Sequence, residues 1–221
     1  LCTITVDGHP PLAGVIHGAM VLRDEFIADL DDETFQTVLR PKMNGAWNLH
    51  IATRELPLEH FICFSSFSAV IGAPKQSNYN AGNVFLEALS HHRQSLGLES
   101  LTINWGALSG AGFVARNEKT AAYLDAIGMK SINVDEALRV VRRMLQHRTS
   151  QVLASRADWN LWNKLIAYVG ESNTFETVSR EQGEESTGGS IGPRVLSTPI
   201  EQRAPLIMDF IAENMSAVCS I

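Results

Sequence analysis

Tyr79 and Asn83 stand four residues apart in "QSNYNAGNVF", Gln76 to Phe85, a spacing that puts both side chains on one face of a helix, one turn apart. Ser66 closes the apolar run "HFICFSS", thirteen residues before Tyr79. A phenol with an ordinary pKa of about 10 is protonated at neutral pH but is a reluctant acid. A lysine within about 4–6 Å would favour phenolate, each unit of lowering being worth about 1.4 kcal/mol toward proton transfer. Lys42 meets that need if the fold brings its helix alongside. A carbonyl receiving hydride gains negative charge on oxygen, so its site needs an aimed donor as well as a proton source. Ser66 would be the donor, Tyr79 the proton source, and Asn83 the holder of a water that resupplies the proton. Taken singly, each also fits an ordinary duty: a tyrosine in packing, a serine satisfying strand-end backbone, a lysine in solvent, and His17 as a rim histidine.

The elements that must position these groups alternate between strand and helix. "PLAGVIH", Pro11 to His17, reads as a short buried strand, followed by small residues suited to a turn. "DDETFQTVLRPKMNGAWNLHIAT" has helical spacing through Phe35, Val38, Leu39, Met43, Ala46 and Trp47, with a kink or break expected at Pro41 and Gly45. "HFICFSS" reads as a central strand. A helix follows from about Asn78 to Leu96, with Val84, Phe85, Ala88 and Leu89 as its inner face, then a strand in "LESLTINWGAL". Beyond lie a lid-like segment, "RNEKTAAYLDAIGMKS", a helix opened by Asn133 with Glu136 in capping-box position, and a last strand in "QVLAS". The pattern predicts an α/β fold, a Rossmann-like parallel sheet with helices on both faces and ligands outside the carboxyl ends of its strands.

The 221 residues carry a net charge of -6 and no Lys/Arg cluster, which argues against a nucleic-acid partner. Apolar runs fall far short of the roughly 20 residues of a membrane helix. Cys2, Cys63 and Cys219 are scattered without CxxC spacing, and the 7 histidines form no ligand set, so neither disulfides nor a metal is expected and a reducing, cytoplasmic setting fits. Composition divides the chain into a domain over 1–169, a Ser/Glu/Gly/Thr-rich flexible linker over 170–198, and an amphipathic helix over 199–221.

The segments "GVIHGAMVLRD", "LRPKMNGAWNLH", "FICFSSFSAVIGAPKQSNYNAGNVFLEALSHHR" and "LTINWGAL" resemble, in order and spacing, the catalytic half of a ketoreductase domain of a type I polyketide synthase, within the short-chain dehydrogenase/reductase superfamily. "GAMVLRD" with "YNAGN" looks most like the fungal highly reducing, iterative type. Most of the superfamily places its lysine four residues after the tyrosine; these ketoreductases have asparagine there and draw lysine from an earlier helix, as here. The resemblance implies Tyr79 as proton donor, Ser66 as the carbonyl-orienting donor, Lys42 as the ammonium tuning Tyr79, and Asn83 as the remaining polar partner. It implies NADPH as hydride source, with His17 and Gly18 on its adenosine and ribose side and Asn104, Trp105 and Gly106 after the strand nearest the nicotinamide. The implied substrate is a β-ketoacyl thioester on the phosphopantetheine arm of a carrier domain, with other synthase domains as partners.

The chain departs from that family at several points. No GxGxxG cradle for cofactor phosphates is present, so the N-terminal cofactor-binding half is incomplete and is expected upstream of Leu1. Met20 replaces a usual glycine, and "LRD" matches the "LDD" marker of one stereochemical class incompletely, leaving the product's configuration open. The tail from Pro199 resembles the first helix of an acyl-carrier domain. Alternatives are a catalytically inactive structural or docking module, and the ketoreductase of a fatty-acid synthase.

Overall fold

The computed structural model describes residues 11–147, 149–159, 161–162, 175, 198–199 and 202–206. In chain order its elements are β1 (Gly14–His17), α1 (Asp32–Thr53), β2 (His60–Ser66), α2 (Ser68–Ile71), α3 (Ser77–Ser95), β3 (Leu101–Trp105), β4 (Leu108–Ser109), α4 (Glu118–Ala126), β5 (Met129–Lys130), β6 (Ile132–Asn133), α5 (Val134–Met144), β7 (Gln151–Ala154) and β8 (Arg156–Ala157). Four of the strands form one parallel sheet in the order β1-β2-β3-β7. The register sets His17 opposite Cys63 and Ser66 opposite Trp105, so the residues expected to do chemistry end their strands on one rim.

Helices cover both faces, as the alternating pattern predicts. On one face α1 and α3 enclose Ala46, Leu58, Phe61, Cys63, Leu86 and Leu89. On the other, Ile62, Leu101, Ile103, Trp105 and Ala154 pack against α5 through Ala137, Val140, Val141 and Met144. Every residue of β3 is buried, which is why that strand reads as continuous rather than alternating. Asp31 caps α1 by accepting from the Thr34 amide at 2.7 Å, and Asn133 and Glu136 close the expected capping box on α5. Two further two-stranded pairings, β4 with β6 and β5 with β8, organise the segment around α4.

Several expectations need correction. The helix α1 runs unbroken for 22 residues through Pro41 and Gly45. Gly45 is kept by packing: a Cβ there would meet the His17 ring at 3.1 Å. The strand in "PLAGVIH" is confined to Gly14–His17 and is not fully buried, since Ile16 is 63% exposed on the edge strand of this sheet. On α1 the buried face includes Lys42 and His50 while Trp47 is exposed. On α3 the inner face is turned from the one expected, with Gly82, Asn83, Leu86, Leu89, Ser90 and Arg93 buried and Val84 exposed. The reason is common to both helices: their inward polar side chains find partners, so apolar spacing alone misplaces the face.

The chain divides into two compact units, Leu1–Asp158 and Trp159–Ile221. In the second, the rings of Trp159 and Phe175 stack at 5.1 Å. Most of the expected linker and C-terminal helix lies outside the described residues, which include a helical stretch at 202–206.

Candidate active site

Tyr79 lies in the first turn of α3, Asn83 one turn on, Ser66 at the end of β2, and Lys42 on α1. The structure brings these four together. Asn83 is fully buried and its Nδ2 donates to the Tyr79 carbonyl at 3.0 Å, leaving its Oδ1 without a hydrogen-bond partner among the described residues. Ser66 Oγ accepts from the Ser68 amide at 3.2 Å and from Ser68 Oγ at 2.9 Å. Those two bonds occupy its acceptor capacity and leave its own O–H for the Tyr79 phenol, the direction from which a carbonyl oxygen could be oriented.

Lys42 is 2% exposed, and its Nζ donates to the Phe64 carbonyl at 3.0 Å. Burial brings its pKa down to about 8, with the neighbouring Cys63 pulling the other way. Burial in turn pushes the Cys63 thiol up to about 12. The ammonium lies 5.4 Å from the centre of the Tyr79 ring. This is a cation over a ring face, and it does not place Tyr79 on the acid side of its ordinary range. Burial raises the Tyr79 pKa; hydrogen bonding of the phenol with Asn83 and Ser66 draws it down, and Asp24 raises it further. In this state loss of solvation outweighs the other influences on the phenol.

The residues assigned to the cofactor divide. His17 is buried at the end of β1, and burial first, then the Lys42 charge, hold its imidazole below the usual range, opposed by a hydrogen bond with the Pro41 backbone. Gly18 is exposed beside Phe64 on the rim. Gly106 is required by packing, because a Cβ there would stand 3.0 Å from Ser155 Oγ and 3.2 Å from its Cα. Trp105 is buried in the α5-side core, edge-on to Phe64 at 5.6 Å between ring centres. Asn104 is fully buried within the sheet rather than on the rim: its Nδ2 donates to Ser65 Oγ, to the Ser66 carbonyl and to Glu87 Oε1, and its Oδ1 accepts from Gln151 Nε2. Its placement among cofactor contacts is corrected for that reason; the side chain's hydrogen-bonding capacity is already taken up inside the fold.

Sequence reasoning also passed over three supporting residues. Ser68 supplies both bonds to Ser66 Oγ. Asn78, 1% exposed, donates to the Arg23 carbonyl at 2.9 Å and accepts from the Tyr79 amide at 2.7 Å, tying the start of α3 to the loop after β1. Glu87 stands four residues beyond Asn83 on the same helical face, a spacing that would have found it. Among the described residues no group of three or more His, Cys, Asp or Glu could hold a metal. No helix among them is long and apolar enough to cross a membrane.

The family model of the KR domain matches residues 2–110, a span that contains all four clustered side chains. The chain belongs to the ketoreductase (KR) family of polyketide synthases. A component of the phenolphthiocerol/phthiocerol polyketide synthase of Mycobacterium tuberculosis is 30% identical over 211 residues, which are 94% of this chain and 9% of that protein. A highly reducing polyketide synthase, phiA, of a fungal species is 36% identical over 165 residues, 72% of this chain and 6% of that one. The KR chain thus spans under a tenth of the length of these two relatives. Among solved structures, the first ketoreductase of the tylosin polyketide synthase superposes with a TM-score of 0.69 at 29% identity, covering 76% of this chain and 38% of that one. A-type ketoreductases from a modular synthase give 0.67 at 32% identity, covering 69% and 32%. The likeness agrees with the Rossmann-like parallel sheet and its short-chain dehydrogenase/reductase type.

Proposed function

We propose that this KR domain catalyses NADPH-dependent reduction of a β-ketoacyl thioester, borne on the phosphopantetheine arm of a carrier domain, to the β-hydroxyacyl thioester. The observation that carries the reading is the convergence, at the carboxyl end of β2, of a donating serine, a half-buried phenol, an asparagine with an unused oxygen and an ammonium bonded to a backbone carbonyl rather than a carboxylate. NADPH, when bound, would supply the hydride that reaches the carbonyl carbon. Ser66 Oγ–H donates to the substrate oxygen and fixes which face is presented. The Tyr79 phenol gives its proton to that oxygen, and Asn83 Oδ1 holds the water from which the phenolate recovers one. The phenol must lose its proton from a site that raises its pKa, so the charge of Lys42 acts on the phenolate as it forms rather than on the resting phenol.

The residues fit the nicotinamide end of the cofactor. Lys42 has donors to spare beyond the Phe64 carbonyl and would bond a ribose hydroxyl, beside His17 and Gly18. The phosphate cradle is not among these residues, so cofactor binding requires a glycine-rich half in the same synthase. Residues 199–221 are read as the first helix of a carrier domain, reached through a linker over 170–198.

The test is NADPH oxidation with a β-ketoacyl thioester surrogate in the full-length synthase polypeptide, comparing wild type with Tyr79→Phe. A fall in kcat of about a hundredfold or more, the scale of a positioned general acid, is the expected result. Equal turnover by both proteins would remove Tyr79 from the chemistry and the reading with it.

A further inference from the structure

We propose that Glu87 and Asn104 are positioning residues: a latch beneath the rim that fixes the separation of Ser66 on β2 from Tyr79 on α3. The proposal deepens the ketoreductase reading and rests on it.

The latch joins the two elements that carry Ser66 and Tyr79 to β3 and β7. Glu87 Oε1 accepts from Ser65 Oγ at 3.2 Å and from Asn104 Nδ2 at 2.5 Å, so α3 is fastened at one atom to both β2 and β3. The same Asn104 amide reaches the Ser66 carbonyl at 3.2 Å, and Gln151 on β7 holds the opposite end of Asn104 at 3.0 Å. Tyr79, Asn83 and Glu87 are spaced by four along α3 and share a face. The helix therefore carries the proton donor at its first turn and is anchored two turns later to the strand that carries the carbonyl donor. Ser65 and Ser66 are adjacent in β2 and point to opposite sides of the sheet, one to the latch and one to the site.

A plain stabilising role would be met more simply by apolar side chains. A carboxylate held by neutral donors brings a desolvation cost that an apolar group of the same size lacks. What a satisfied network supplies instead is a single geometry, since each of its atoms is bound in a fixed direction. A displacement of about 1 Å between reacting groups costs up to about a hundredfold in rate, which is the scale on which such a latch matters.

The test compares Glu87→Ala and Glu87→Gln with wild type in the full-length synthase, reading kcat and KM for the β-ketoacyl surrogate, the melting temperature, and the phenolate absorbance of Tyr79 against a Tyr79→Phe baseline. Glu87→Ala is expected to lower kcat about tenfold or more with KM changed less than about twofold. Tyr79 should ionise at higher pH, because the Ser66 hydrogen bond to the phenol loosens. Lys42 from α1 and Asp24 from the loop after β1 also face the phenol and are common to all these proteins. Glu87→Gln retains an oxygen for Ser65 and Asn104 and should restore both kcat and the titration. The proposal is overturned if Glu87→Ala leaves kcat and the Tyr79 titration where they were, or if Glu87→Gln is as impaired as Glu87→Ala while melting with wild type. Should Glu87→Ala fail to fold, Ser65→Ala removes two bonds of the latch, those to Glu87 and from Asn104, and is expected to give the same changes at smaller size; wild-type behaviour there overturns the proposal. Absent turnover by wild type would count against the reductase reading, while the Tyr79 titration still decides the latch.

Discussion

Asn83 on α3 and Asn104 on β3 are both fully buried, and their amides are used in opposite ways. Asn104 has all its polar atoms engaged, with three acceptors for its Nδ2 and Gln151 at its Oδ1. Asn83 bonds the Tyr79 carbonyl through Nδ2 and meets the Tyr79 phenol, yet leaves Oδ1 unmatched among the described residues. A buried amide oxygen with no partner costs about 1–3 kcal/mol, and under the proposed reaction a water takes this one up. In this pair the satisfied amide belongs to the frame of the fold and the unsatisfied one to the proposed reactive rim.

Replacing each asparagine by alanine should separate the two roles most sharply. Asn104→Ala strips Glu87, Gln151 and the Ser66 carbonyl of a partner and is expected to lower unfolding free energy by about 3 kcal/mol or more in denaturant titration. Asn83→Ala loses its bonds to the Tyr79 carbonyl and phenol, about 2 kcal/mol, yet should depress kcat by about tenfold or more by removing the proposed proton-resupply site. A reversal of these two orders would collapse the distinction between frame and rim.

Lys42 sharpens the comparison from the rim's side, because its buried charge is tolerated at a cost in stability. With a folded pKa of about 8 against 10.5 unfolded, the unfolded chain binds more protons between those values. Stability therefore rises with pH through that window, and the penalty is fully present below about 8. Relative to Lys42→Met, wild type should gain on the order of 3 kcal/mol from pH 8 to 10.5. Taking the difference between the two proteins matters, since the Cys63 thiol, raised by burial, works in the opposite sense above its ordinary value of 9.0. A flat difference across the window would mean the ammonium is solvated.

The smallest effect is expected far from both asparagines. Asn133→Ala opens the capping box of α5, which packs on the other face of the sheet, and should cost about 1 kcal/mol with kcat unchanged. A change in kcat there would show that the α5 face also sets the site's geometry.

Much of this was legible in the primary structure, for reasons that differ by residue. Tyr79 and Asn83 are neighbours through helix geometry alone, and "HFICFSS" with "LTINW" is apolar enough to be central strands wherever they pair. The capping box of α5 is a local contact and was equally readable. Lys42 and Ser66 required the order of the family's segments, since nothing local brings α1 beside β2. Asn104 reads as rim because it is a polar residue near a strand's end, whereas the pleat turns its side chain onto the face that α3 covers.

The sequence by itself determined the alternation of elements and the parallel sheet, because periodicity and spacing act over a turn or a strand, and the resemblance of its segments singled out the four side chains proposed for the site. Only the tertiary structure decided which polar groups are spent and which are free. Glu87, Ser65, Asn104 and Gln151 come from four elements, and their mutual satisfaction exists only once the strands are in register and α3 lies across them. The sign of the Tyr79 shift was settled at the same level, since burial is a property of the packed chain and outweighs the cation that the sequence led one to expect.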